Sequence, residues 1–251
     1  MNNAGPISSA SDVKRLGTIL FVGAHPDDET FCCGGLLAIA VRNGQRVICV
    51  TATRGELGSQ DESAWPAAHM SDIRTHELKA AMKVLGVREH HWLDYADGEC
   101  DHAPEDDASQ AIAGLIERCN VDSVLTFGPD GLTGHPDHQA MSRWVDGAVH
   151  SSSRSPAVYH IAQLRAPYAK YLKPAEPELH LFFMAPRPLL REPADCDLCI
   201  ELDERAVVQK FRALQAMPSQ YDAILKVFPA EKFAKVFGTE AFVLATDERR
   251  S

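Results

Sequence analysis

Two short stretches hold most of the side chains able to do chemistry. They are Ala24-His25-Pro26-Asp27-Asp28-Glu29 and Gly134-His135-Pro136-Asp137-His138. The first offers an imidazole and three consecutive carboxylates, which would repel a phosphate, and it lacks the G-x-G-x-x-G turn that dinucleotide binding needs. These groups suit a cation instead. His25 and Asp28 are three apart, so one turn can aim both at one point. Adding His138 gives two histidines and one carboxylate, a ligand set that leaves positions for water and substrate. A structural zinc site would use four protein ligands, usually with thiolates. Two spare carboxylates and a spare histidine remain beside the ion, and hydrolysis needs such groups. Each stretch also has a plainer reading: acids are favoured before a helix, and His135-Pro136 can simply start one. Two strand-end loops that each offer His and Asp are harder to dismiss than one.

The flanking sequence must deliver both stretches to one place. Residues 18–22 are apolar and rich in strand formers. A buried helix follows over 30–43, closed by Gly44. Strands are expected at 46–51, 91–93, 121–127, 157–164, 197–202 and 241–245. Helices are expected at 69–85, 104–119, 136–149 and 204–216. Strand–helix alternation means parallel strands with crossover helices, an α/β layered fold. Both chemical stretches follow strands, and ligands collect at the carboxyl ends of strands in open α/β sheets. Residues 1–17 read as a polar N-terminal tail and 18–251 as one α/β domain. Residues 167–193 hold six prolines and little periodicity, as expected of a long loop or lid.

Composition narrows the function. The 251 residues carry 25 basic against 35 acidic side chains, a net charge of −10, and 45% are apolar. A chain of this kind buries a sizeable core and is not disordered. The charge argues against nucleic acid as the main partner. No apolar run is long enough for a membrane span, and the first residues do not read as a secretory signal. Seven scattered cysteines make a poor disulfide framework and point to a reducing compartment, the cytoplasm. Homo-oligomerisation is left open.

At its two chemical stretches the chain resembles the PIG-L/LmbE-like de-N-acetylase family. The family's A-H-P-D-D-E pattern is matched completely by Ala24–Glu29, and its H-P-D-H pattern by His135–His138. Weaker similarities are Gly34-Gly35, Thr53-Arg54-Gly55-Glu56, Arg74 with Glu77, Asp97-Gly98, and later Lys210 and Ser219-Gln220. The resemblance implies a Rossmann-like α/β fold, a three-layer sandwich around a mostly parallel sheet. It implies a divalent metal, usually zinc, held by His25, Asp28 and His138; the same donors also accept Fe2+. It assigns Asp27 as general base and His135 as transition-state stabiliser. Asp137 is then expected to hold the other nitrogen of His135 and favour its charged form. Some relatives have tyrosine where Thr133 stands, and others histidine in place of Met217.

The implied function is removal of an N-acetyl group from a small acetamido substrate, an amino sugar or its conjugate. The alternatives are an amidase for a larger acyl or thiol-conjugate amide, and a sugar-binding homologue with weak turnover. Arg74, Glu56 and Asp97 are candidate substrate contacts, and Trp65 a candidate platform for a sugar face. The plainer readings are a helix-surface ion pair for Arg74 and Glu77, and a loop anchor for Trp65. Cys196-x-x-Cys199 lies in an expected strand with no second Cys pair and reads as structural.

Overall fold

A computed structural model describes residues 7–245 apart from 183 and 186. Its centre is a sheet in the order β3-β2-β1-β4-β5-β8-β7. The strands are β1 (Ile19–Gly23), β2 (Val47–Thr53), β3 (Glu89–Tyr95), β4 (Ser123–Thr126), β5 (Ala157–Leu164), β6 (Leu190–Arg191), β7 (Leu198–Glu201) and β8 (Thr239–Leu244). β1 to β5 are parallel; β8 runs antiparallel to both β5 and β7, and the two-residue β6 adds to the end of β5. Every residue of β1 and β2 is buried. This is why they read as continuous apolar runs rather than alternating ones.

The helices are α1 (Asp28–Arg42), α2 (Met70–Leu85), α3 (Glu105–Arg118), a one-turn α4 (Gly131–Gly134), α5 (Pro136–Ser151), α6 (Arg165–Pro167), α7 (Lys173–Leu179), α8 (Glu204–Gln215), α9 (Pro218–Val227) and α10 (Ala230–Phe237). α1, α2 and α8 pack together, as do α3 and α5. Helix layers on a mostly parallel sheet make the expected Rossmann-like α/β sandwich. Strand order reverses between β1 and β4, so the loops after these strands border the crevice where such folds bind ligands. No helix among the described residues is long and apolar enough to cross a membrane.

Helix α1 is broken. Cys33 leaves helical geometry at φ −144°, ψ 18°. The backbone N–H groups freed just beyond the break, on Gly35 and Leu36, donate to the Glu240 carboxylate at 2.9 and 2.7 Å. Lys210 Nζ donates to the same carboxylate at 2.8 Å, and both side chains are almost wholly buried. A carboxylate at a helix N-terminus satisfies donors left over by the break and faces the positive end of the helix. Gly35 has no room for a side chain, because a Cβ there would lie 2.2 Å from Leu202 Cδ1.

Two expectations are corrected. The tail expected over 1–17 is part of the fold from residue 7; residues 1–6 lie outside the described ones. Ile7 is buried and bridges Leu198, donating to Asp197 O at 3.0 Å and accepting from Cys199 N at 2.9 Å. Val13 and Leu16 are buried on the following helical turn. Three apolar residues scattered among polar ones show no periodicity, so their burial was not visible. The loop expected over 167–193 is helical as far as Leu179, with Tyr168, Leu172 and Phe182 buried. Pro174 sits in the first turn of α7, which continues directly from the helical turn over 168–172, and Pro177 lies within this seven-residue helix.

Candidate metal centre

The chain turns sharply after β1. Ala24 N and His25 N donate to Asp28 Oδ2 at 2.8 and 2.9 Å. This holds the Asp28 carboxylate against the end of the strand and leaves Oδ1 facing His138 Nε2 at 3.4 Å. Across the crevice, α4 carries Leu132 at φ 61°, a left-handed conformation costly for a branched residue. That bend brings Gly131 O to 3.0 Å from His138 Nδ1. Nδ1 therefore carries the proton, and Nε2 presents its lone pair. The ring stacks on Phe127 with centroids 3.8 Å apart.

His25 is fixed in the complementary sense. Its Nε2 lies 3.1 Å from Asp97 Oδ1 and 3.2 Å from Asp137 Oδ2. The proton belongs there, and Nδ1 is turned to His138 Nε2 at 3.2 Å. The ligand atoms of buried His25, Asp28 and His138 all lie within 4.8 Å of one another. Two imidazole lone pairs and a carboxylate oxygen facing each other repel unless a proton or a cation lies between them. Burial opposes charge on His25, but hydrogen bonds to Asp137 and Asp97 and the Asp28 charge overcome it, raising the group to about 10. Burial likewise opposes ionisation of Asp28, yet His138 and His25 hold its carboxyl well below the usual range. The surroundings thus call for positive charge, and the donor set fits a divalent metal ion.

Asp27 stands beside this set in a strained backbone, at φ 144°. Asp27 O accepts from Thr30 N and Phe31 N at 2.9 and 2.8 Å, and Asp27 N donates to Glu29 Oε2 at 3.3 Å. Arg74 Nη2 donates to Pro26 O at 3.1 Å and to Asp27 Oδ2 at 3.2 Å. Burial raises Asp27 more than Arg74 lowers it, leaving the carboxyl at about 6. That is a basicity suited to taking and returning a proton near neutrality.

His135 and Asp137 are arranged differently from expectation. The Asp137 carboxylate does not hold His135. It accepts from His25 Nε2, and from Gly98 N and Cys100 N at 2.8 and 3.1 Å. The cause is its place in the first turn of α5, where the backbone N–H, not the carboxylate, reaches His135 Nδ1 at 3.2 Å. Burial and the neighbouring charges of His25 and His138 lower His135 to about 4. A neutral ring whose Nδ1 accepts must carry its proton on Nε2, so His135 is a neutral N–H donor rather than an imidazolium.

The four candidate substrate contacts separate. Arg74 is buried and gives Nη1 to Gly55 O at 3.1 Å as well as Nη2 to the Asp27 turn. Gly55 and Gly58 leave room for its guanidinium, since a Cβ on either would lie 2.3 or 2.4 Å from Nη1. Asp97 is buried, accepts from Leu57 N at 2.9 Å, and is lowered to about 2, where its contacts with His25 outweigh burial. Both residues brace the centre from within. Glu56 accepts from Asp97 N at 3.0 Å through Oε1, and Oε2 has no hydrogen-bond partner among the described residues. Trp65 faces a groove of about 460 Å³ beside Ile73, Ala80, Ala216 and Pro218, which none of His25, Asp28 and His138 lines.

Glu29, Glu77 and Ser219-Gln220 entered the sequence reading only as parts of the family resemblance, with no role assigned to them at the site. Glu29 is buried; desolvation raises it to about 8, and it accepts from Thr30 Oγ1 at 2.5 Å. Glu77 is not on a helix surface but buried, accepting from Ser219 N and Oγ at 2.9 and 2.6 Å. Gln220 Nε2 donates to Gly58 O at 2.9 Å, so the start of α9 is bolted to the turn that houses Arg74. This places the Tyr221 ring 5.4 Å from that of Phe31, on the first turn of α1.

A model of the family described as PIG-L, GlcNAc-PI de-N-acetylase, matches residues 20–149. A 1D-myo-inositol 2-acetamido-2-deoxy-alpha-D-glucopyranoside deacetylase of Mycobacterium sp. (strain KMS) is 37% identical over 152 residues, 52% of this chain and 49% of the relative. The chain thus spans about half the length of the curated relatives it matches first. An N,N'-diacetylchitobiose deacetylase from Pyrococcus horikoshii shares the fold at TM-score 0.68 and 18% identity, covering 92% of this chain and 85% of that one. A 4-carboxy-2-hydroxymuconate hydratase, GalB, from Pseudomonas putida KT2440 shares it at TM-score 0.63 and 18% identity, covering 92% and 97%. The fold alone therefore does not fix the reaction. The family match extends over both chemical stretches and more than half of the sequence, and the chain belongs to the PIG-L de-N-acetylase family.

Proposed function

We propose that the protein is a metal-dependent amide hydrolase that removes the N-acetyl group from an amino sugar or its conjugate. The observation that carries this reading is the meeting of His25 Nδ1, Asp28 Oδ1 and His138 Nε2 beside a strained, weakly acidic Asp27. His25, Asp28 and His138 would hold the ion, with zinc the expected metal. When bound, such an ion polarises an amide carbonyl and lowers the pKa of water toward about 7.

The remaining steps belong to side chains. Asp27 takes a proton from the attacking water as the new C–O bond forms, then passes it to the nitrogen as the C–N bond breaks, giving acetate and an amine. Arg74 keeps the Asp27 carboxylate aimed while leaving it basic. His135 donates its Nε2–H to the carbonyl oxygen as negative charge builds there. Asp97 and Asp137 hold His25 in its ligating tautomer, and Gly131 O does the same for His138. A protein that only bound sugars would have no use for a strained carboxylate at this position, which favours turnover over the binding reading.

The test is a deacetylation screen of N-acetylglucosamine conjugates with chelated, zinc-reloaded and Asp27→Asn protein. The expected outcome is acetate release by the reloaded wild type alone. Acetate release that persists in the chelated protein would overturn the reading.

A further inference from the structure

Near Asp27, on the α9 side, stands a phenol that the reaction as described does not use. Tyr221 is the fourth residue of α9 and is only 6% exposed. The turn that carries it is fixed. Ser219 N and Oγ donate to Glu77 on α2, and Gln220 Nε2 donates to Gly58 O in the turn around Arg74. Tyr221 N donates to Met217 O at 3.0 Å, which ties the residue to the start of its helix. The ring then lies against Phe31, tilted by 32°. Phe31 in turn donates its N–H to Asp27 O at 2.8 Å. Tyr221 is thus held on one side by the turn that houses Arg74 and on the other by a residue that closes the Asp27 turn.

The hydroxyl itself is unpaired. It makes no hydrogen bond among the described residues, whereas Arg74 Nη1 and Nη2, Glu77 and Ser219 around it are all engaged. Burial, and then the charges of Asp27 and Asp28, push the phenol well above the ordinary tyrosine value, with Arg74 pulling the other way. The phenol therefore keeps its proton at neutral pH and has it to donate. A donor set in a largely buried place without a protein partner is unfavourable in the free protein, and a ligand that brings an acceptor relieves it.

Which acceptor that is follows from the reaction. Asp27 returns its proton to the amide nitrogen, so a donor beside Asp27 stands beside that nitrogen. In an amino-sugar conjugate the carbon bearing nitrogen has two neighbours. The oxygen on C1 is taken by the glycosidic link, and the hydroxyl on C3 is free. Resting on the deacetylase reading, we propose that Tyr221 is a specificity-determining residue whose hydroxyl donates to the C3 hydroxyl of the substrate sugar. The contact selects amides that carry a hydroxyl next to the C–N carbon, and it fixes which way the sugar lies over Asp27.

Zinc-loaded protein is assayed on two probes, phenyl N-acetyl-α-D-glucosaminide and its 3-deoxy analogue. Tyr221→Phe removes only the hydroxyl and keeps the ring on Phe31. In the wild type the parent probe is expected to exceed the analogue by about ten-fold in kcat/KM, because the analogue leaves the phenol unpaired. Tyr221→Phe should bring the parent down to the level of the analogue, mostly through KM, and leave the analogue unchanged. The two corresponding free amines, which cannot be deacetylated, are titrated calorimetrically and should show the same contrast in Kd, again lost in Tyr221→Phe. A variant that slows both probes equally points to a structural role for the hydroxyl and overturns the proposal. So does a parent probe that the variant handles like the wild type. Equal kcat/KM for both probes in the wild type, with equal Kd for both amines, removes the contact and leaves the deacetylase reading intact. A contrast between the amines with neither acetamide hydrolysed sinks the deacetylase reading and leaves the Tyr221 contact standing.

Discussion

His25 Nδ1 and His138 Nε2 face each other at 3.2 Å, although 113 residues separate them in the chain. Each ring has its other nitrogen tied to an acceptor: Asp97 and Asp137 for His25, Gly131 O for His138. The pairing turns both lone pairs toward Asp28 and defines where a cation belongs.

Without that cation, His25 keeps an extra proton, since its group titrates at about 10. Its folded value lies above its ordinary one, so the stability it contributes is full below about 6.5 and is lost as pH rises through about 10. The metal-free protein is therefore expected to melt at progressively lower temperature between these limits. Ion binding near pH 7 must expel this proton. Calorimetry of zinc binding in buffers of differing ionisation enthalpy should show about one proton released at His25.

Asp27→Asn removes the proposed base but none of the proposed ligands. Zinc content should stay near that of the wild type while kcat falls by at least about 10²-fold, at the lower end of what positioned acid–base groups contribute. In the wild type, kcat/KM should decline as pH falls through about 6, where Asp27 takes up its proton.

Asp137 acts on His25, so its loss should show in metal affinity. Asp137→Asn is expected to weaken zinc binding by roughly 10–100-fold, as supporting carboxylates of ligating histidines typically do. A competition titration against a zinc chelator measures this. Unchanged affinity with lost turnover would instead place Asp137 behind His135.

The buried Lys210–Glu240 pair secures the break in α1 that follows the Asp27-Asp28 turn. Lys210→Met leaves a buried carboxylate with only backbone donors, and breaking such a pair costs about 3–5 kcal/mol. Replacing both partners, in Lys210→Met with Glu240→Gln, should cost less. Denaturant unfolding of the single and double variants separates the two.

The convergence of His25, Asp28 and His138 was legible because each of them sits in a short local pattern just past an apolar strand, and strand-end loops on neighbouring parallel strands must converge. The parallel core was legible for a related reason: β1 and β2 are buried on both faces and so read as unbroken apolar runs. What escaped was set by partners far away in the chain. Glu240 accepts from Gly35 across 205 residues, and Ser219 meets Glu77 across 142. No local periodicity encodes such pairs. The direction of Asp137 escaped differently: its neighbour His135 was the natural partner in sequence, but the first turn of α5 points the carboxylate back to His25.

The most direct measurement is anomalous diffraction at the zinc edge from a zinc-soaked crystal. One buried peak is expected about 2.0–2.2 Å from His25 Nδ1, His138 Nε2 and Asp28 Oδ1. A peak shared instead by His25, His135 and Asp137, whose ligand atoms also cluster within 4.8 Å, would contradict the assignment, as would no peak at all.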